Sequence, residues 1–181
     1  TLLHAGTTLA GGTTAAINVT SANGQVTLTN NLTFNAGTST LEFVYNAGVA
    51  PSATAAPLVV SNLTANATIN VKVLSGSIAV GQYPLVKYVG AFGGLGFAAF
   101  NPTVTLPPRV VATLSNNTAN ASIDLVVTAV NSPITWTAGS ATWDLSAVNW
   151  RDAVATPTAY QQVSGLGDSV LFEESLSGAG P

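Results

Sequence analysis

The chain has 181 residues, of which 47% are hydrophobic and 6% charged; seven acids, four bases and one histidine give a formal net charge of −3. An ordinary soluble domain carries roughly 25% charged residues, so catalysis, metal binding and nucleic-acid binding have few side chains to draw on here. Lys72, Lys87, Arg109 and Arg151 are too few and too scattered to neutralise a run of phosphates or to hold a helix on an anionic membrane, and the absence of Cys excludes disulfides, thiol catalysis and Cys-ligated zinc.

Strong helix formers are scarce, whereas Val, Ile and Thr are abundant. In chain order, period-two alternation predicts strands over Val26–Thr29, Leu41–Tyr45, Ile69–Val73 and Ile123–Val127. Each puts Val, Leu, Ile or Phe on one side and mostly Thr, Asn, Lys, Asp or Glu on the other. Turn signals fall between them at Asn23-Gly24, Asn30-Asn31, Ala36-Gly37, Asn46-Ala47-Gly48, Ser75-Gly76 and Asn116-Asn117. Short strands punctuated this often imply an all-β sandwich, barrel or solenoid. Gly90–Phe97 is rich in glycine but lacks the Lys-Ser/Thr of a phosphate loop. Phe92, Phe97 and Phe100 make it read as a flap over an apolar surface, and a contact patch for another chain where exposed. No apolar run approaches the ~20 residues of a transmembrane helix, so no membrane insertion is expected.

An internal echo favours stacked β-rungs. Asn62–Val71 (NLTANATINV) matches Asn116–Leu125 (NNTANASIDL), and a looser copy begins at Asn31-Leu32-Thr33. The unequal offsets exclude a strict repeat and suggest rungs interrupted by loops at Ala47–Pro57 and Val89–Pro108. Composition shifts near Asn131-Ser132-Pro133, after which come all three Trp and five of the seven acids. This divides the chain into a β-solenoid unit over 1–132 and a Trp-containing β module, or joint to a next unit, over 133–181. The chain opens at Thr1 rather than Met and reads as a processed or excerpted piece.

Several pieces carry a family resemblance: Leu106-Pro107-Pro108-Arg109-Val110, Ala112–Leu125, Trp136–Asp144 with Asn149-Trp150, and Gly167–Phe172. Together they resemble the passenger regions of autotransporter-associated β-strand repeat proteins, large low-charge surface or secreted bacterial proteins. The resemblance implies a right-handed parallel β-helix, that is a β-solenoid with irregular rungs, followed by a short Trp-containing module. It also implies an extracellular or cell-surface setting. It supplies neither an activity nor a secretion route.

Candidate sites are sparse. His4 is the lone histidine and has no nameable partner for a triad or a metal. Glu42 and Asp124 lie opposite the apolar side of their strands without a second carboxylate in the same strand, and Glu173-Glu174 point to opposite faces; no acid pair for glycoside cleavage is expected. Asp144, Asn149 and Asp152, or Asp168 with Glu173, could offer oxygens to Ca²⁺, but Asx residues at turns account for the same pattern. No metal or other cofactor is therefore assigned. Trp136, Trp143 and Trp150 recur every seven residues, and a four-residue hairpin loop over Ala138–Ala141 would set Trp136 opposite Trp143. They form either a small aromatic core at the end of a solenoid or a platform on which sugars stack. Six N-x-[ST] sequons, at Asn18, Asn31, Asn62, Asn66, Asn116 and Asn120, are read mainly as turn and ladder chemistry.

The expected function is a non-catalytic structural β-solenoid unit of a large extracellular or cell-surface protein. Its expected partners are copies of itself or neighbouring units of the same chain. Two alternatives stand beside it: a protomer that assembles into an extracellular filament or sheath, and a carbohydrate-binding or adhesive module. The second would use the Trp segment on polysaccharide; the candidate binding residues, as an aromatic platform or an inter-unit contact, are Trp136, Trp143, Trp150, Phe92 and Phe97.

Overall fold

A computed structural model describes residues 8–75, 77–130, 133–137, 142–152, 155–163 and 166–172. The described residues are all-β, with most strands paired in parallel and no α-helix. None of their helical segments is long and apolar enough to cross a membrane.

The first seven strands run β1 (Thr8–Leu9), β2 (Thr14–Val19), β3 (Val26–Phe34), β4 (Thr38–Tyr45), β5 (Leu58–Ala65), β6 (Thr68–Leu74) and β7 (Gly81–Tyr88). They alternate between two sheets: β1, β3, β5 and β7 are successive parallel neighbours in one, and β2, β4 and β6 in the other. The alternation of the sequence is the reason. In β2 the burial order is exposed–buried repeated three times, and in β4 every second residue from Ser39 to Tyr45 is buried. The buried faces supply Leu32, Phe34, Leu41, Phe43, Leu58, Leu63, Ile69 and Val73 to one core between the sheets. Each such side chain contributes about 1.5–3 kcal/mol of apolar burial.

Register stacks like on like. Leu32 pairs with Leu63 and Leu63 with Phe92; Thr8, Thr33 and Thr64 follow one another, as do Thr14 and Thr40. Asn31 and Asn62, 31 residues apart, are in register, and the Asn62 Nδ2 donates to Asn31 Oδ1 at 2.7 Å. Asn101 Nδ2 donates likewise to Asn70 Oδ1 at 3.0 Å. Glu42 and Lys72 are register partners on β4 and β6, and their side chains form a 2.9 Å ion pair.

Three expectations are corrected here. Asn30-Asn31 is no turn: β3 runs through it with a register shift between Leu28 and Asn31, a bulge that takes up the extra residue within the strand. Val89–Pro108 is no inserted loop. It contains β8 (Phe92–Gly94), which pairs in parallel with β5, a 3-10 turn at Gly96–Ala99, and single parallel bridges from Phe100 to Ile69 and from Thr105 to Lys72. Gly94 makes the close pairing possible. It has φ +72°, and a Cβ there would run into the Ala65 carbonyl and the Asn66 side chain.

The third correction concerns the echoed motif. Asn62–Val71 turns the corner from β5 to β6, passing between sheets. Asn116–Leu125 instead folds back as an antiparallel hairpin of β9 (Val111–Asn117) and β10 (Ser122–Ala129), added to β7 in the first sheet. The difference lies in the surroundings. Asn66 donates its backbone N–H to Phe34 on the preceding strand, whereas Asn120 donates to its own Asn117, and Ala121 takes φ +50° to close the reversal. Asn116-Asn117 accordingly lies in a strand, with the turn just after it.

The remaining strands are short: β11 (Ile134–Trp136), β12 (Trp150–Arg151), β13 (Pro157–Thr158), β14 (Gln162–Val163), β15 (Leu166–Gly167) and β16 (Val170–Leu171). Four of them form a separate small sheet in the order β13-β12-β11-β16. Ala47–Pro57 contains no strand, as expected of a loop.

Candidate functional site

The tryptophans converge, though not in the expected pairing. Trp136 stands opposite Trp150, not Trp143, in the antiparallel pair β11–β12. Thr142 and Trp143 lie outside any strand, and the hairpin loop expected over Ala138–Ala141 lies outside the described residues. Trp150 is fully buried, and Trp136 and Trp143 meet it edge to face at centroid distances of 4.9 and 5.2 Å. Tyr160 packs on Trp143 at 5.1 Å, and Phe172 on Trp150 at 5.8 Å. Edge-to-face contacts each contribute about 0.5–1.5 kcal/mol beyond area burial. Rings crossed in this way form a small core; the surface they leave is Trp143 and Phe172, with Leu145, Val148 and Leu171 also exposed. The buried Trp150 Nε1 has no hydrogen-bond partner among the described residues.

Phe92 and Phe97 lie elsewhere and are not a free flap. Both are half-buried against the main core; Phe92 packs on Tyr88 at 5.1 Å, and Phe97 stacks on Phe100 at 6.0 Å. The pairing of β8 with β5 holds Phe92 there, and Phe97 follows in the 3-10 turn.

The acids divide by surroundings. Asp144 Oδ1 accepts the backbone N–H groups of Ala147 and Ser146 and the Ser146 hydroxyl, and these bonds hold its carboxyl below the usual carboxylate range. Asp152 accepts the backbone N–H of Thr156, and Asn149 Nδ2 donates to the Thr142 carbonyl. The Asp144 bonds are the local ones of an Asx turn, whereas those of Asp152 and Asn149 span four and seven residues. His4, Glu173 and Glu174 lie outside the described residues. Among the sequons, Asn31 and Asn62 are bonded to each other, while Asn18, Asn66, Asn116 and Asn120 are exposed.

Asp124 is the residue whose surroundings the sequence did not reveal. Alternation places it opposite Ile123 and Leu125, yet it is only 2% exposed. Its Oδ2 accepts from Gln82 Nε2 at 2.7 Å and Asn117 Nδ2 at 2.8 Å, and its Oδ1 from Ser122 Oγ at 2.5 Å. The strand pairing assembles this group. β10 lies between β7, which brings Gln82, and β9, which brings Asn117; the register shifts between Ile123 and Asp124, opposite Pro84. A bulge of this kind re-aims side chains next to it. Asp124 lines a cavity of about 450 Å³, together with Ala53, Thr54 and Ala56 from the loop after β4 and with Lys87 and Asn120. Strands 42 residues apart in sequence create this site, so no local pattern announces it.

No family model matches the chain, and no curated protein or solved structure matches it either. The resemblance to autotransporter-associated repeat proteins therefore rests on the quoted sequence pieces alone.

Proposed function

We propose that the chain is a non-catalytic structural unit of a large extracellular or cell-surface protein. In this reading residues 1–132 form a right-handed β-solenoid with irregular rungs, and 133–181 a module that seals or joins its end. The observation that carries the reading is the in-register parallel stacking of like residues in two sheets: Leu32 on Leu63, Thr33 on Thr64, Asn31 on Asn62. A rung of this kind is held by its neighbours above and below, so length can be added without new charge. The handedness follows the general preference of parallel crossovers. The resemblance stated above supports the surface setting.

The filament reading has less support. Among the described residues, β2 has a strand on one side only, which leaves a six-residue parallel edge open to a further rung. The opposite end of the first sheet carries the antiparallel β9–β10 hairpin, which does not present a parallel turn to the β1–β2 end of another copy. The two ends of the stack thus differ, which disfavours head-to-tail joining of identical copies. The aromatic cluster, being crossed and centred on a buried Trp150, favours a joint over a flat sugar platform.

Excision of one rung tests the stacking. Deleting residues 32–62 joins Asn31 to Leu63 and preserves the pattern on both sides. The shortened protein is expected to remain soluble, to unfold cooperatively in urea and to show a smaller m-value in proportion to the surface removed. Loss of cooperative unfolding would mean that the sheets form a closed unit and would reject the solenoid.

A further inference from the structure

We infer that the cavity over Asp124 is a binding site for a neutral saccharide unit, separate from the aromatic cluster. The first argument is the cost of Asp124 itself. A chain with seven acids and four bases has little charge, yet it buries this carboxylate on three neutral donors and without a cation. Removing a carboxylate from water costs several kcal/mol even when it is hydrogen-bonded. For the fold alone, a Thr or Val at this position would serve the strand better.

What the carboxylate does is orient its neighbours. An ionised carboxylate only accepts hydrogen bonds, so Gln82 and Asn117 must both turn their NH₂ groups towards it. Asn117 Oδ1 then accepts the backbone N–H of Asn120, fixing the hairpin turn that forms one rim of the cavity. Gln82 Oε1 is left as an acceptor. Lys87 Nζ and the Asn120 side-chain amide make no hydrogen bond or ion pair among the described residues, and both residues line the cavity. The site therefore offers both donors and acceptors beside Pro84 and Ala56.

That lining fits vicinal hydroxyls, each of which donates and accepts, with ring C–H groups against the proline. The volume of about 450 Å³ lies within the range of small-molecule sites, roughly 300–1,000 Å³. One acid and one base line the cavity, so its lining carries no net charge and a neutral ligand suits it better than an ion. Lys87 stands in register with Ser122, next to the carboxylate rather than in contact with it.

The test is saturation-transfer NMR on the whole chain. The probes are methyl glycosides of glucose, galactose, mannose and N-acetylglucosamine, plus glucuronate, at about 10 mM, above the millimolar dissociation constants expected of single sugars. At least one neutral glycoside is expected to bind. The double variant Lys87→Met/Asn120→Ala, which changes two exposed side chains and leaves Asp124 and the core intact, should weaken it about tenfold or more, the equivalent of one or two lost hydrogen bonds. Trp143→Ala should leave the affinity within about twofold. The inference is overturned if no neutral probe binds, if binding survives the double variant, or if it is lost with Trp143→Ala instead.

Discussion

Arg109 and Asp168 form a 2.9 Å ion pair, largely shielded from solvent, that ties the segment before β9 to the C-terminal strands. The guanidinium also donates from Nη2 to Thr158 Oγ1 at 2.7 Å and to the Ala159 carbonyl at 2.8 Å. Asp168 Oδ2 accepts the Gln161 backbone N–H at 2.8 Å. One arginine thus holds two stretches of the C-terminal region, Thr158-Ala159 and Asp168, against the segment before β9. Arg109 takes φ +59° to do so, a left-handed conformation that costs about 1–2 kcal/mol for a residue other than glycine. The bonds to three acceptors offset that strain.

Removing either partner should free the C-terminal strands before the main core melts. Arg109→Ala leaves Asp168 without its cation, and Asp168→Asn leaves the guanidinium without its carboxylate; breaking a buried pair in this way costs about 3–5 kcal/mol, with the lower end expected at a partly shielded site. All three Trp lie in the C-terminal region, so Trp fluorescence should report an early transition in urea that far-ultraviolet circular dichroism does not follow. Coincident transitions in both variants would show that the two regions unfold as one.

Gly94 and Gly48 make a controlled pair. Both have positive φ, +72° and +78°, but a Cβ on Gly94 meets the backbone of Ala65 and one on Gly48 meets nothing within 4 Å. Gly48→Ala should therefore cost only the conformational strain, about 1 kcal/mol. Gly94→Ala should cost that and a displacement of β8 from β5, about 3 kcal/mol or more. Urea midpoints of the two variants check the difference; equal losses would remove the close approach as the reason for this glycine.

The strand positions were legible because period two maps directly onto one buried face. The segments around Val26, Leu41, Ile69 and Ile123 all lie in strands for that reason. The step from Asn31 to Asn62 was legible as well, since like residues stack in parallel sheets. The same motif misled at Asn116, where an identical local preference for a turn ends in a hairpin because β10 pairs back onto β9. Phe92 and Phe97 read as a flap because β5, the strand with which β8 pairs, is not adjacent in sequence. The cavity over Asp124 was hidden for the same reason: alternation fixed which side the carboxylate takes, but its depth depends on Gln82 and Asn117 arriving from two other strands.

Alkaline pH should expose the burial of Tyr45. Desolvation pushes its hydroxyl from 10.0 up to about 12. The folded state therefore holds a proton that the unfolded chain releases, so the contribution to stability is complete below pH 10 and is lost as pH rises towards 12. The slope in that window is about 1.4 kcal/mol per pH unit for one group. Tyr45→Phe should flatten this part of the profile measured by urea denaturation between pH 8 and 12, and an unchanged slope would assign the loss to other groups.

The Asn31–Asn62 contact carries a sharper test of the parallel register. Asn62 Nδ2 donates to Asn31 Oδ1, and its Oδ1 accepts the Ala91 backbone N–H at 2.8 Å. Asn62→Asp keeps the acceptor for Ala91 and lets the Asn31 amide rotate to donate, so its cost should stay within about 0.5 kcal/mol. The double variant Asn31→Asp/Asn62→Asp instead places two carboxylates in register on neighbouring strands with no donor between them. Like charges directly opposite should cost about 1 kcal/mol at neutral pH. Repulsion raises the carboxyl pKa in the folded state above its unfolded value, so folding takes up protons and the lost stability returns as pH falls through about 5 to 4. Urea midpoints of the single and double variants at pH 7 and pH 4 measure the coupling. A double variant that equals the sum of its singles at both pH values would mean that residues 31 and 62 do not stack, and the register of β3 on β5 would have to shift.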